Sequence, residues 1–114
     1  MKIKEACERI KNAESILISI SDEDWELFDD TARVVDISGP SDDVRVAATA
    51  LIRNGELVDA QTVAIVFFCN PKDSLRVMGA VPAEEIAATG ARILYCVCFA
   101  SLESGNVEMY IISD

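Results

Sequence analysis

The chain has 114 residues, of which 51% are hydrophobic, and its 20 acidic and 10 basic side chains give a formal net charge of −10. This length is typical of one domain, and the apolar content predicts a packed core and excludes a disordered chain. A surface this negative repels phosphate backbones and anionic lipids, so we expect neither nucleic-acid nor membrane binding. Histidine, the commonest general base and transition-metal ligand, is absent from the sequence.

A helix followed by two strands is predicted for the first third of the chain. Residues 2–13 place apolar side chains at helical spacing, which is typical of one buried helix face. Residues 15–20, with the sequence SILISI, show the alternation of a β-strand, and a second strand is expected over residues 32–38.

The middle third repeats this order. Residues 41–53 are predicted to form a helix that is stopped at Gly55. Residues 62–69, TVAIVFFC, are apolar on both faces, which is typical of a central strand. After a turn at residues 70–73, residues 74–81 are predicted to return as the second strand of a hairpin.

The last third contains one more helix and two more strands. Pro82 starts and Gly90 ends a short helix, residues 91–100 form a second central strand, and residues 107–113 form the final strand. We expect the exposed edge of this last strand to be available for pairing with a partner strand. The fold predicted for residues 1–114 is one α/β domain, with α+β as an alternative. It has a mixed sheet of five to six strands and three to four helices, in the approximate order α-β-β-α-β-β-α-β-β.

Residues 19–30, SISDEDWELFDD, combine six carboxylates with a tryptophan and allow three interpretations. The first is a short helix capped by Ser21, whose first-turn acids meet the positive end of the helix dipole and whose Trp25 packs on the sheet. The second is a calcium loop. However, Leu27 and Arg33 stand where an EF-hand requires glycine and glutamate, so no metal site is predicted.

The third interpretation is a recognition surface, which is compatible with the first because a capped helix can also present it. A dense acidic face that includes an aromatic side chain suits a protein with a basic surface, through electrostatic steering and a tryptophan anchor. The predicted partner-binding residues are Asp22, Glu23, Asp24, Trp25, Glu26, Asp29 and Asp30.

The four cysteines, Cys7, Cys69, Cys96 and Cys98, are expected to be free buried thiols in a reducing cytoplasm. Cys96 and Cys98 should point to one face of their strand, and Cys69 would join them if the two central strands are neighbours in a suitable register. The spacing does not match paired C-x2-C zinc elements, so we predict no metal and no cofactor. The charged N-terminal segment lacks the apolar stretch of a signal peptide, which also favours the cytoplasm.

The sequence therefore favours a small, acidic, non-enzymatic interaction or regulatory module, which could also be a homodimer. One alternative is a carboxylate-based enzyme or small-ligand-binding domain with its site at strand ends near residues 21–26 and 70–73. Lys72, Asp73, Glu84 and Glu85 are its further candidate residues. The other alternative is a subunit of a homo- or hetero-oligomeric assembly.

Overall fold

A computed structural model describes residues 1–73 and 82–114 of the chain. Within these ranges the α-helices are α1 (Ile3–Lys11), α2 (Asp22–Trp25), α3 (Ser41–Arg53) and α4 (Ala83–Ala88), and a 3-10 turn spans Pro71–Asp73. The strands are β1 (Ser15–Ile18), β2 (Arg33–Pro40), β3 (Thr62–Cys69), β4 (Arg92–Phe99) and β5 (Asn106–Ser113).

The five strands form one mixed sheet in the order β1-β4-β3-β5-β2. β3 and β4 run parallel, whereas β1 pairs with β4, and β3 and β2 pair with β5, in antiparallel fashion. The chain returns from the end of β3 to the start of β4 through a connection that contains α4. All eight residues of β3 are buried, because this strand lies at the centre of the sheet and helices cover both of its faces.

The helices form two layers, with α1 and α2 on one face of the sheet and α3 and α4 on the other. Successive side chains of a strand point to opposite faces, so β3 contributes to both cores. Val63, Ile65 and Phe67 pack towards α3 and α4, and Ala64, Val66 and Phe68 pack towards α1 and α2. No helix in the two described ranges is long and apolar enough to cross a lipid bilayer.

This architecture confirms the predicted fold, a single compact domain of helices on a mixed sheet. The helices α3 and α4 are followed by Gly55 and Gly90, as predicted, with φ of +80° and +78°. These left-handed conformations favour glycine, which explains why the helices end there. The return strand predicted at residues 74–81 lies outside the described residues.

The prediction of an exposed edge at the last strand is wrong. β5 lies inside the sheet and pairs with β3 on one side and with β2 on the other, so its backbone groups are occupied. The edges of the described sheet are β1 and β2. Hydrophobic alternation identifies a strand but not its neighbours, which is why the sequence assigned the edge to the wrong strand.

Candidate functional site

The acidic segment folds as a short capped helix between β1 and β2. The Ser21 hydroxyl oxygen accepts a hydrogen bond from the backbone N–H of Asp24 at 3.2 Å, and Asp22, Glu23 and Asp24 occupy the first turn of α2. These carboxylates lie at the positive end of the helix dipole, where negative charge is stabilising. The capped-helix interpretation of this segment is therefore confirmed.

Two aromatic side chains hold the segment against the sheet. Phe28 is buried and Trp25 is half-buried, and both pack on the core beneath α1. Their ring centroids are 6.1 Å apart, with the ring planes tilted by 52°. Because part of the indole ring already contacts the core, Trp25 presents only its remaining surface to solvent, and its role as a partner anchor stays a prediction.

The carboxylates of the segment differ in their partners. Asp24 is half-buried and forms an ion pair with Arg92, with Nη2 and Oδ1 3.0 Å apart. Asp29 accepts hydrogen bonds from the hydroxyl and the backbone N–H of Thr31, and these bonds lower its pKa. Five carboxylates are exposed and form no ion pair with any residue that the structure describes. We call them the acidic surface: Asp22, Glu23, Glu26, Asp29 and Asp30.

A cavity of about 310 Å³ lies beside this helix, between α1, β1, α2 and β4. Its walls combine apolar side chains with thiols and two opposite charges: Cys7, Ile10, Lys11, Ile16, Ser19, Ile20, Asp22, Trp25 and Cys96. The carboxylate-based alternative requires a concavity near residues 21–26, and this cavity supplies one.

The cysteines are divided between the two faces of the sheet. Cys96 and Cys98 point to the same face of β4, as predicted, and this is the face that α1 covers; their sulfur atoms are 3.7 Å apart. Cys69 is paired with Phe99 in the parallel register and enters the opposite core, so it does not join them. A hydrogen bond from Cys98 lowers the pKa of Cys96, whereas burial raises the pKa of Cys7. Across the described residues, no three side chains of the types that ligate metals are grouped closely enough to hold an ion.

The turn at residues 70–73 has a structural role. Asn70 Oδ1 accepts a hydrogen bond from the backbone N–H of Lys72 at 3.0 Å. The buried carboxylate of Asp73 accepts one from the N–H of Gly105 at 2.8 Å. The second bond fastens the end of β3 to the loop before β5, so Asp73 is engaged in holding the fold.

The two glutamates of α4 lie in different surroundings. Glu84 is exposed, whereas Glu85 forms an ion pair with Arg53 at 3.3 Å. Glu85 and Arg53 also line an open cavity of about 720 Å³ that follows α3, together with Asp42 and Arg45. Because guanidinium and carboxylate groups share this cavity, it does not present one sign of charge to a ligand.

A polar cluster that the sequence did not indicate lies between α1, β2 and β5. Arg9 forms an ion pair with Glu108 at 2.6 Å and lies over the ring of Phe68, 4.7 Å from its centroid. The Tyr110 hydroxyl donates to Glu108 at 2.8 Å, and Asp36 is the cross-strand partner of Tyr110. Burial, and then the charge of Glu108, raise the pKa of Asp36. The cluster depends on strand register, so no local sequence signal could have revealed it.

We expect the substitution Asp36→Asn to stabilise the fold at neutral pH. The folded state binds the Asp36 proton more tightly than the unfolded chain, in which aspartate titrates near about pH 3.9. The stability contributed by this group is therefore greatest below that pH and falls as the pH rises through the raised pKa. Asparagine does not ionise, so the Asp36→Asn variant does not lose this stability as the pH rises. The gain should be about 0.5 kcal/mol or less, because the group is largely exposed and screened by solvent.

Urea unfolding at neutral pH and at about pH 3 measures the difference in the free energy of unfolding between Asp36→Asn and the wild type. The higher stability of the asparagine variant should disappear in acid. The matched control is Asp59→Asn, which removes another exposed carboxylate from the loop after α3. An advantage of equal size at both pH values would show that it does not arise from the proton of Asp36.

The comparisons with known proteins do not place the chain in a family. No family model matches the sequence, and no curated protein matches it. Among solved structures, the chain is similar to part of CetZ2 from Haloferax volcanii, in a GTPγS-bound protofilament, at 17% identity and a TM-score of 0.44. The match covers 72% of this chain and 28% of that one, so the chain spans little more than a quarter of the length of that protein. The function of the chain therefore has to be inferred from its own residues.

Proposed function

We propose that this protein is a small, non-enzymatic interaction module of the cytoplasm that binds the basic surface of another protein through its acidic surface. The observation that supports this function is the group of five exposed carboxylates within residues 22–30, which have no ion-pair partner among the described residues. They equal half of the formal net charge of −10. Their concentration in one capped helix and the loop after it distinguishes them from the carboxylates elsewhere on the surface.

The packing of α2 favours recognition because it fixes these charges before a partner arrives. The Ser21 cap and the buried ring of Phe28 hold the segment on the sheet, so little order has to be gained on binding. Exposed carboxylates at the rim of an interface act mainly by steering the encounter, which raises the association rate and disfavours acidic partners. The exposed part of Trp25 adds apolar contact area beside the charges.

Neutralising the acidic surface tests the proposal. The acidic-surface variant carries four substitutions and keeps Asp29, because its bonds to Thr31 hold the loop: Asp22→Asn, Glu23→Gln, Glu26→Gln and Asp30→Asn. The control variant removes the same number of exposed carboxylates from other places, including the first turns of α3 and α4: Asp42→Asn, Asp43→Asn, Asp59→Asn and Glu84→Gln. Both variants therefore have the same net charge.

The three forms are immobilised, partners are identified from a cell extract by mass spectrometry, and association rates are measured with the purified partner. We expect the acidic-surface variant to associate about 10–100-fold more slowly than the wild type, and added salt to slow the wild type in the same way. The control variant should stay close to the wild type. Equal rates for the two variants, or binding that is indifferent to salt, would overturn the proposal.

A second candidate function is the binding of a small ligand in the cavity of about 310 Å³ between α1 and α2. The observation that favours it is the presence of one carboxylate, Asp22, and one ammonium group, Lys11, in a cavity whose other walls are mainly apolar side chains and thiols. Native mass spectrometry distinguishes ligand binding from the proposed interaction function, because a retained ligand would add mass to the chain. The same measurement gives the oligomeric state, for which a homodimer or a larger assembly remains an alternative.

A further inference from the structure

The edge strand β1 exposes apolar side chains without a covering element among the described residues. It pairs with β4 on one side, and no described strand pairs with its other side. Its three apolar side chains have exposed fractions of 44% at Ile16, 55% at Leu17 and 41% at Ile18. Free edges are normally protected by charged residues, proline, a bulge or a short strand. SILI contains no charge and no proline, and its protection is limited to its length of four residues and a register shift between Ile16 and Ile18.

The geometry of β1 also provides a place for a side chain of an added strand. Ile16 is paired with Cys98, so it lies on the α1 face, and it lines the cavity of about 310 Å³. A strand hydrogen-bonded to the free edge would lie about 4.8 Å from β1. Its side chains on the same face would then stand beside Ile16, at the cavity that Ile20 and Trp25 also line.

The charges around β1 determine which occupant fits. The acidic surface begins at Asp22, four residues after β1 ends at Ile18, so one end of an added strand would lie next to a concentration of negative charge. A second copy of this chain would bring another formal charge of −10 to the same edge, which repulsion disfavours. An extended segment with lysine or arginine residues at its end is the complementary partner.

We propose that β1 is a strand-addition site, at which an extended segment of the basic partner joins the sheet beside β1, with alternate apolar side chains at Ile16 and basic residues against the acidic surface. This inference rests on the proposed function and specifies the chemistry of the partner. Backbone hydrogen bonds supply affinity in this type of recognition, and the side chains on alternate positions supply specificity.

Two synthetic peptides test the site without knowledge of the natural partner. The first is acetyl-Lys-Lys-Val-Thr-Val-Thr-Val-amide, and the second has the same sequence with every amide of the Val-Thr stretch N-methylated. The methylated peptide keeps the charges and side chains, but its Val-Thr stretch cannot donate backbone hydrogen bonds to an edge. We expect the first peptide to bind at least about tenfold more tightly, because several edge hydrogen bonds are lost on methylation.

Protein variants locate the bound peptide. Amide hydrogen exchange at residues 15–18 should slow when the first peptide binds, since the free edge becomes paired. Ile16→Thr should weaken binding about threefold to tenfold through lost apolar contact, whereas Val46→Thr, another exposed β-branched residue but on α3, should not. The acidic-surface variant should weaken binding of both peptides.

The outcomes separate this inference from the proposed function. If both peptides bind equally but the acidic-surface variant weakens both, strand addition is overturned and the charge-based function stands. If methylation abolishes binding and the acidic-surface variant binds normally, the charge-based function falls together with the basic chemistry assigned to the partner, and only strand addition at β1 stands. A dimer that protects residues 15–18 in the absence of peptide would overturn the inference, because a second copy would then occupy the edge.

Discussion

Replacing Phe67 with alanine should lower the free energy of unfolding by about 3–5 kcal/mol, a large part of the total stability of about 5–15 kcal/mol that is usual for a domain. Phe67 has no exposed surface and lies in β3, the central strand, where it packs with Val97 and Met109 of the flanking strands. Truncation would leave a cavity at the point where three strands meet. The surrounding strands are held by their backbone ladders, so they cannot collapse to fill it.

Urea unfolding followed by circular dichroism measures this change. The matched control is Val46→Ala on α3, because Val46 is 69% exposed and its truncation should change stability by about 0.5 kcal/mol or less. A loss below about 1 kcal/mol for Phe67→Ala would contradict the placement of β3 at the centre of the sheet.

The elements that were predicted correctly are those whose signals are local. Seven of the eight residues of β3 are apolar, which predicted a strand buried on both faces, and Gly55 and Gly90 marked the ends of two helices through their conformational preference. Ser21 and the acids after it identified the start of α2 in the same way. In each case the cause of the structure lies within a few residues of its effect.

The features that were not predicted depend on contacts between distant segments. Arg92 neutralises Asp24 across 68 positions of the sequence, and the sequence gives no indication that this carboxylate differs from its neighbours. The parallel register of β3 and β4 places Cys69 beside Phe99 instead of Cys98, so the three thiols are divided between two cores. The identity of the edge strands also depends on strand order. The sequence predicted that SILI forms a strand, but its exposure follows from its position at the edge of the sheet, next to β4.

The acidic surface illustrates both cases. Its helix and its charge density were evident from the sequence, whereas the subset of carboxylates without an ion pair required the position of Arg92, which pairs with Asp24. A site near residues 21–26 was one alternative that the sequence left open, but the other walls of the adjoining cavity, which come from α1, β1 and β4, could not be predicted. α1, β1 and α2 follow one another in the chain, but β4 is distant and joins them only through its pairing with β1.

The substitution Phe28→Ala is expected to detach the acidic surface from the sheet while every carboxylate is kept. Phe28 is 8% exposed and packs in the core beneath α1, next to Trp25. Its truncation should cost about 3 kcal/mol, the lower end of the range for core phenylalanine, because the site lies at the margin of the sheet and can partly collapse. The segment of residues 21–30 has few other buried side chains, so the loss should appear there first.

Trp25 reports this local change because it is the only tryptophan of the chain. When the contact with Phe28 is lost, the indole ring should become more exposed and its fluorescence emission should shift to longer wavelength, while the far-ultraviolet circular dichroism of the sheet persists. Phe28→Leu is the matched control, since it keeps an apolar side chain of similar size at the same position. It should leave the emission close to that of the wild type.

The association rate of Phe28→Ala with a basic partner tests whether detachment of the acidic surface from the sheet impairs the proposed function. If recognition needs charges in a fixed arrangement, Phe28→Ala should slow association although its net charge is unaltered, because a mobile segment must be ordered again in the complex. Rapid association by Phe28→Ala, with Trp25 shifted to longer wavelength, would show that charge density alone is sufficient. If Phe28→Ala associates slowly and Phe28→Leu associates as fast as the wild type, then the buried side chain at position 28 and the exposed carboxylates act as one site.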